Sequence, residues 1–185
     1  MTRSGWRILG VVGLSATLLG ACAPYGDGAY EARKHRQEVE RRTHGMRLAT
    51  QQTERGQDLA GEALVQALSD KTLVKRFETF PNGKRGDYVS YTYYRAGGEY
   101  VLIDNWIQPR WEADNPDRWT VEGARLCVMD EGWSSTPRCY RVARAADGAL
   151  QFYVDDPEEP YDTLLTSVVR EVLDGPPPGV EAPAR

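Results

Sequence analysis

The chain is expected to fold as an α+β protein. Its main part should be an antiparallel β-meander forming a curved sheet or partial barrel, preceded by an N-terminal helical stalk and a short packing helix. Three observations predict this class. Alternating segments rich in Val, Tyr, Thr and Trp recur from residue 72 onward, separated by the turn signals Gly97-Gly98, Glu122-Gly123 and Asp147-Gly148. Residues 31–55 consist mostly of good helix formers, with seven Lys or Arg against four Glu and few apolar side chains. Between these regions, Leu59, Ala63, Leu64, Ala67 and Leu68 fall on one side of a short helix that should pack on the sheet.

The start of the chain carries a targeting signal. Arg3 and Arg7 precede an apolar run at residues 8–19 that is too short to span a bilayer. Leu19-Gly20-Ala21-Cys22 then resembles the lipobox of bacterial lipoproteins. The resemblance implies cleavage before Cys22, a thioether-linked lipid on its sulfur and acylation of the new amino terminus, as by palmitate. The alternative is an ordinary secretory peptide cut after Ala21 or near Ala23. Ala23 in place of an Asp after the lipidated residue is similar to the pattern that sorts lipoproteins to the outer membrane, facing the periplasm; the inner membrane is the other location. The expected organisation is a signal peptide at 1–21, a tether and charged helical stalk at 22–56, a β-rich domain at 57–175 and a disordered Pro-rich tail at 176–185.

The stalk's apolar stripe is too thin for a core helix, so a solvated spacer is expected. His35 and His44 lie nine apart within it, which is not the spacing of a zinc pair. Strands follow at 72–80, 87–95 and 99–107. A two-residue Gly97-Gly98 turn would set Asp104 opposite Tyr91, where a carboxylate–phenol hydrogen bond is expected. Both faces of this hairpin are substantially apolar, so it should be central or covered. Arg110 and Trp111 in the long loop after it are candidate contact residues, with Trp111 folded back as a lid as the alternative.

The meander comes next. A Glu122-Gly123 turn would place Trp119 opposite Leu126 and Arg118 opposite Cys127. A loop near Trp133 then sets Cys127 against Cys139, Leu126 against Tyr140 and Arg125 against Arg141. One face collects Trp119, Val121, Leu126, Val128, Tyr140 and Val142; the other collects Arg118, Thr120, Arg125, Arg141 and both cysteines. A three-residue turn at residues 146–148, with Gly148 left-handed, keeps Leu150, Phe152 and Val154 on the apolar face; a two-residue turn would turn them outward. Residues 163–173 fit a helical period, but their Thr, Ser and Val content favours a strand.

Three cysteines leave one odd thiol in an exported protein. With Cys22 lipidated, Cys127 and Cys139 remain to pair in an oxidising periplasm, a closure worth about 3 kcal/mol on the chain-entropy model. A metal or redox pair is the alternative; the eleven intervening residues and the lack of a nearby His or third Cys speak against it. The acidic run at residues 155–159 matches no calcium loop and reads as a solvated turn. No metal site or cofactor is expected.

Several signatures now stand in order: the segment from Leu68 to Leu73, Arg118-Trp119 with Gly123, Leu126-Cys127, and Cys139-Tyr140-Arg141-Val142 ahead of an Asp-Gly turn. Together they resemble small secreted bacterial domains grouped as a domain of unknown function (number 995 in that series). The resemblance spans about residues 59–179 and implies a β-rich fold with no established activity. In that pattern a Gly usually occupies the place of Asp70, and the segment between Gly98 and Arg118 is shorter.

These features narrow the function. A net charge of −4 gives no general attraction to nucleic acid. Beyond the stalk there is no histidine, and no nucleophile elbow or phosphate loop, so no catalysis is expected. The chain reads as an uncharacterised, lipid-anchored binding or assembly module of the cell envelope. Its partners would be the membrane, through the anchor, and an envelope protein or anionic envelope polymer. Arg118, Arg125 and Arg141 are the candidate binding residues. Like charges so opposed require compensation, from Glu122, Asp130 or Glu131, from a cation–π contact with Tyr153, or from an anionic partner. The alternative function is a carboxylate-dependent envelope hydrolase or an inhibitor of such an enzyme.

Overall fold

The computed structural model describes residues 27–80, 82–105, 117–129 and 136–177. The chain divides into two units, residues 1–38 and 39–185. In the first, the described part is the start of helix α1 (Asp27–Gln52), whose residues from 30 to 38 are exposed. The expected signal peptide, Cys22 and the tether up to residue 26 lie outside the described residues. Among those described, no helix is long and apolar enough to cross a membrane.

The second unit contains the remainder of α1, and here the expected solvated stalk needs correction. Thr43 is buried, and Ala49 packs against Ala143, Tyr153 and Leu165. The amide of Leu165 donates to Thr50 Oγ1 at 2.8 Å. The helix docks through small and hydroxyl-bearing residues rather than an apolar stripe, so hydrophobic periodicity gave no sign of it.

After α1 the chain turns at Gly56 into β1 (Gln57–Asp58), which pairs with residues 143 and 144. Helix α2 (Gly61–Leu68) follows, with Leu64 and Leu68 fully buried. Each contributes about 2 kcal/mol of apolar burial. The amide of Gly61 donates to the carbonyl of Gly123 at 2.6 Å, which fastens the helix start to a sheet turn where no side chain caps it.

Nine further strands follow among the described residues, in two antiparallel sheets. They are β2 (Lys71–Thr79), β3 (Arg85–Tyr94), β4 (Tyr100–Asp104), β5 (Arg118–Glu122), β6 (Arg125–Met129), β7 (Arg138–Arg144), β8 (Leu150–Val154), β9 (Leu165–Val169) and, as the ninth of this set counted from β2, β10 (Glu171–Asp174). One sheet runs β5-β6-β7-β8-β9, with β1 on β7; the other runs β10-β2-β3-β4. Within residues 163–173 the chain is strand over 165–169 and again from 171, as its composition favours. The chain crosses from one sheet to the other at Arg170. On the other side, the sheets touch through a bridge between Glu99 and Arg118. The result is the expected curved, antiparallel architecture, not closed into a complete barrel.

The core lies between the inner faces and under α2. Leu73 and Tyr94 from one sheet meet Trp119, Leu126, Val142, Leu150, Phe152 and Val169 from the other. Tyr94 meets Trp119 edge-on at 5.6 Å, and Trp119 Nε1 donates to the carbonyl of Arg95 at 2.8 Å. A buried indole keeps a partner in this way. Pro177 is also buried, so the first part of the expected Pro-rich tail belongs to the domain; residues 178–185 are outside the described set.

Two hairpin registers differ from expectation. At Gly97-Gly98 the turn has three residues, with the amide of Gly98 donating to the carbonyl of Arg95 and Gly98 at φ +86°. Tyr91 therefore pairs with Ile103 and Asp104 with Ser90. Between β5 and β6 the turn residues are Gly123 and Ala124, with φ positive at Gly123, the pattern of a type II′ turn. Trp119 then pairs with Val128, and Thr120 with Cys127. This is a shift of two positions along the partner strand, so every side chain keeps its expected face. At residues 146–148 the three-residue turn with Gly148 at φ +86° is present as expected, with Tyr140 opposite Val154 and Val142 opposite Phe152.

Candidate functional site

The outer face of β5, β6 and β7 carries the predicted constellation. Cys127 pairs with Cys139 across neighbouring strands, and their Cα atoms are 4.1 Å apart. This is the close, non-hydrogen-bonded type of cross-strand pair, and the two sulfurs are bonded to each other. Arg125 stands opposite Arg141 in the next row. Arg118, one strand over, is opposite Met129 rather than Cys127.

The charge on the two opposed arginines is met by Asp155, just beyond the end of β8. Its Oδ2 accepts from Arg141 Nε at 3.2 Å and lies 2.9 Å from Arg125 Nε. The second approach is an ion contact without hydrogen-bond alignment, since that buried Nε has no hydrogen-bond acceptor. Arg125 instead donates through Nη2 to the Asp155 carbonyl at 3.1 Å. Of the expected compensators, Glu122 is the cross-strand neighbour of Arg125, while Asp130 and Glu131 lie outside the described residues. The cation–π contact expected between Tyr153 and Arg141 is replaced by another: the guanidinium of Arg55 lies 4.3 Å from the Tyr153 ring centre.

The acidic stretch forms a compact turn that feeds this site. The amide of Asp156 donates to Asp162 Oδ1 at 2.9 Å, and the amide of Glu158 donates to Asp156 Oδ1 at 3.1 Å. Thr163, at φ +65°, closes the turn and donates its amide to the carbonyl of Val154. A β-branched residue in that conformation is strained.

Between this turn and the sheet lies a cleft of about 500 Å³. Arg118, Glu122 and Arg125 line its sheet side, Met129 and the disulfide give it an apolar floor, and Asp156 and Glu158 face them from the acidic turn. The cleft therefore offers both charge signs beside a rigid, covalently fixed patch. The same outer surface is divided along β7: the part toward β8 and β9 is covered by the end of α1 around Ala49 and Thr50, and the part toward β5 holds the cleft.

The structure places Arg118, Arg125, Arg141, Cys127 and Cys139 on one face, but with the cysteine row between Arg118 and the Arg125–Arg141 pair, and with Arg141 outside the lining of the cleft. Arg110, Trp111 and Cys22 lie outside the described residues. His35 and His44 are exposed. The carboxylate–phenol pair expected at Asp104 exists with a different tyrosine: Tyr88 donates to Asp104 Oδ2 at 2.9 Å. Burial, followed by Asp104, pushes the Tyr88 phenol up to about 12. Lys75, on β2, was not expected in a polar role. Burial lowers its ammonium pKa, and the signal for it was a lysine in register between the inward Leu73 and Phe77. No protein-family model, curated protein or solved structure matches the chain.

Proposed function

We propose that the protein is a non-catalytic binding module of the bacterial envelope, anchored to the outer membrane by lipid on Cys22 and facing the periplasm. Its ligand is an anionic sugar unit of an envelope polymer, held in the cleft beside the Cys127–Cys139 disulfide. The observation that carries this reading is the make-up of the cleft. Arg118 and Arg125 offer planar forks suited to a phosphate or carboxylate. Glu122 beside them, with Asp156 and Glu158 across the cleft, accepts hydrogen bonds from hydroxyls, and Met129 with the disulfide provides an apolar floor for a sugar ring.

Size favours this ligand class over a protein surface. A volume of about 500 Å³ is in the range of small-ligand sites. A stable protein partner would need about 800 Å² on each side. The balance of charges makes the site selective rather than generally attractive to anions.

The test is affinity capture of the full-length, C-terminally tagged protein from solubilised envelopes. An acid-hydrolysable, phosphate-bearing polysaccharide should be captured by the wild type and lost with Arg118→Glu. Capture of a protein with no polysaccharide would overturn the ligand assignment. The gathering of Glu122, Asp156 and Glu158 in one cleft favours a second reading, a carboxylate-dependent envelope hydrolase. Under that reading the wild type would shorten the polymer and Glu158→Gln would not.

A further inference from the structure

A second polar group lies between the sheets, away from the disulfide cleft. Lys75 on β2, Ser90 on β3 and Asp104 on β4 form one row across three strands. The row shares its face with Leu73 and Tyr94, which belong to the core, so it points inward. Ser90 is buried, and the Tyr88 hydroxyl from the neighbouring row donates to Asp104 Oδ2 at 2.9 Å. The Asp104 carboxylate is thus engaged by Tyr88 and lies two strands from Lys75, a separation of about 10 Å.

Lys75 has no carboxylate within ion-pair distance among the described residues. Its Nζ lies 5.7 Å from the centre of the Phe152 ring on the facing sheet. A lysine whose ammonium lies toward a ring face on the inner side of the sheets, with no carboxylate beside it, is costly. Lys75 is itself only half-buried. Among the described residues β4 and β5 are joined by the Glu99–Arg118 bridge and by no further ladder. Leu102 and Phe77 occupy inward register positions, yet are 57% and 46% exposed. Exposed apolar side chains on a core-facing surface mark a seam that a ligand can enter.

We propose that this seam admits a single-chain anionic amphiphile, its chain along Phe77, Leu102 and Phe152 and its carboxylate or phosphate monoester head on Lys75. The site is separate from the disulfide cleft and does not depend on what that cleft binds. The unpaired ammonium supplies the charge complement, Ser90 and Tyr88 add hydroxyls, and the inner faces supply apolar contact.

The test uses the full-length protein in non-ionic detergent and a hexadecanoic acid carrying a diazirine near its tail. Photolabelled peptides are mapped by mass spectrometry. Label is expected on the peptides holding Phe77, Leu102 or Phe152, falling at least fivefold in Lys75→Met and persisting in Lys75→Arg. Competition separates the head groups: displacement by hexadecanoate or by hexadecyl phosphate supports the site and shows which head it prefers. Equal displacement by hexadecanol, or equal labelling of Lys75→Met, overturns it. Near-ultraviolet circular dichroism of each variant shows that the fold is retained, so lost label reports the missing charge.

Discussion

Gly56 lies against the backbone of Arg144 so closely that a Cβ on it would stand 2.1 Å from the Arg144 carbonyl oxygen. This contact is where the helical segment joins the sheet. The amide of Gly56 donates to Gln151 Oε1 at 2.8 Å, Gln151 Nε2 donates to the carbonyl of Glu54 at 2.8 Å, and the Tyr153 hydroxyl donates to the same Gln151 oxygen at 3.2 Å. A buried amide side chain satisfied in this way fixes one geometry.

Gly56→Ala should therefore destabilise the protein by about 3 kcal/mol, because the obstruction is backbone and cannot rotate away. Denaturant unfolding checks this. An unchanged midpoint would mean that β1 does not lie on β7 as described.

Asp155 should act as the keystone of the arginine rows. Asp155→Asn leaves Arg125 and Arg141 opposed without a carboxylate and is expected to cost about 1–2 kcal/mol. Adding Arg141→Met should recover most of that loss, and a double-mutant cycle measures the coupling.

Asp70 sits at φ +53°, a region that glycine enters without steric cost. Its Oδ1 accepts from the Tyr93 hydroxyl and from the amide of Ala96, both at 3.2 Å. Asp70→Asn should be nearly neutral, since Asn tolerates the conformation and keeps an acceptor. Asp70→Ala loses both advantages and should cost about 2 kcal/mol, read as a shift in the unfolding midpoint.

Tyr88 predicts an alkaline signature. Its folded pKa is raised from 10.0 to about 12, by burial first and then by Asp104. The stability it contributes is fully present below pH 10 and is lost as pH rises from 10 to about 12. Lys75 works in the other direction: its folded pKa is lowered from 10.5, so its penalty is relieved as pH climbs from that lowered value toward 10.5. Tyr88→Phe should flatten the alkaline loss relative to wild type. Lys75→Met should be more stable than wild type at neutral pH, with the gap narrowing as pH rises. Unfolding midpoints at a series of pH values from 7 upward decide both.

Part of this architecture was legible in residues alone, for a definable reason. A strand has a side-chain period of two, so one correct cross-strand pair fixes a face. Cys127 opposite Cys139 and the apolar requirement at Phe152 were enough to set β6, β7 and β8 in register. At Gly97-Gly98 two glycines permit either turn length, and both faces of the hairpin are apolar, so hydrophobic pattern did not decide and Asp104 was paired one residue off. Asp155 escaped notice as the arginine partner because it comes from beyond the end of β8, three strands from Arg118. The docking of α1 rests on Ala49, Thr50 and Gln151, whose contacts leave no periodic trace. Lys75 reads as an ordinary strand lysine, because the packing of its face of β2 against Phe152 of the other sheet is a non-local contact with no periodic trace.

The central claim is that the cleft beside the disulfide binds an anionic sugar polymer through Arg118 and Arg125. Titration calorimetry of the full-length protein with purified phosphate-bearing envelope polysaccharide, wild type beside Arg118→Glu, tests it most directly. The account predicts saturable binding that weakens at least tenfold in the variant, a loss of about 1.4 kcal/mol or more, with an unchanged unfolding midpoint. Equal affinity in the two proteins, or no binding by the folded wild type, would contradict it.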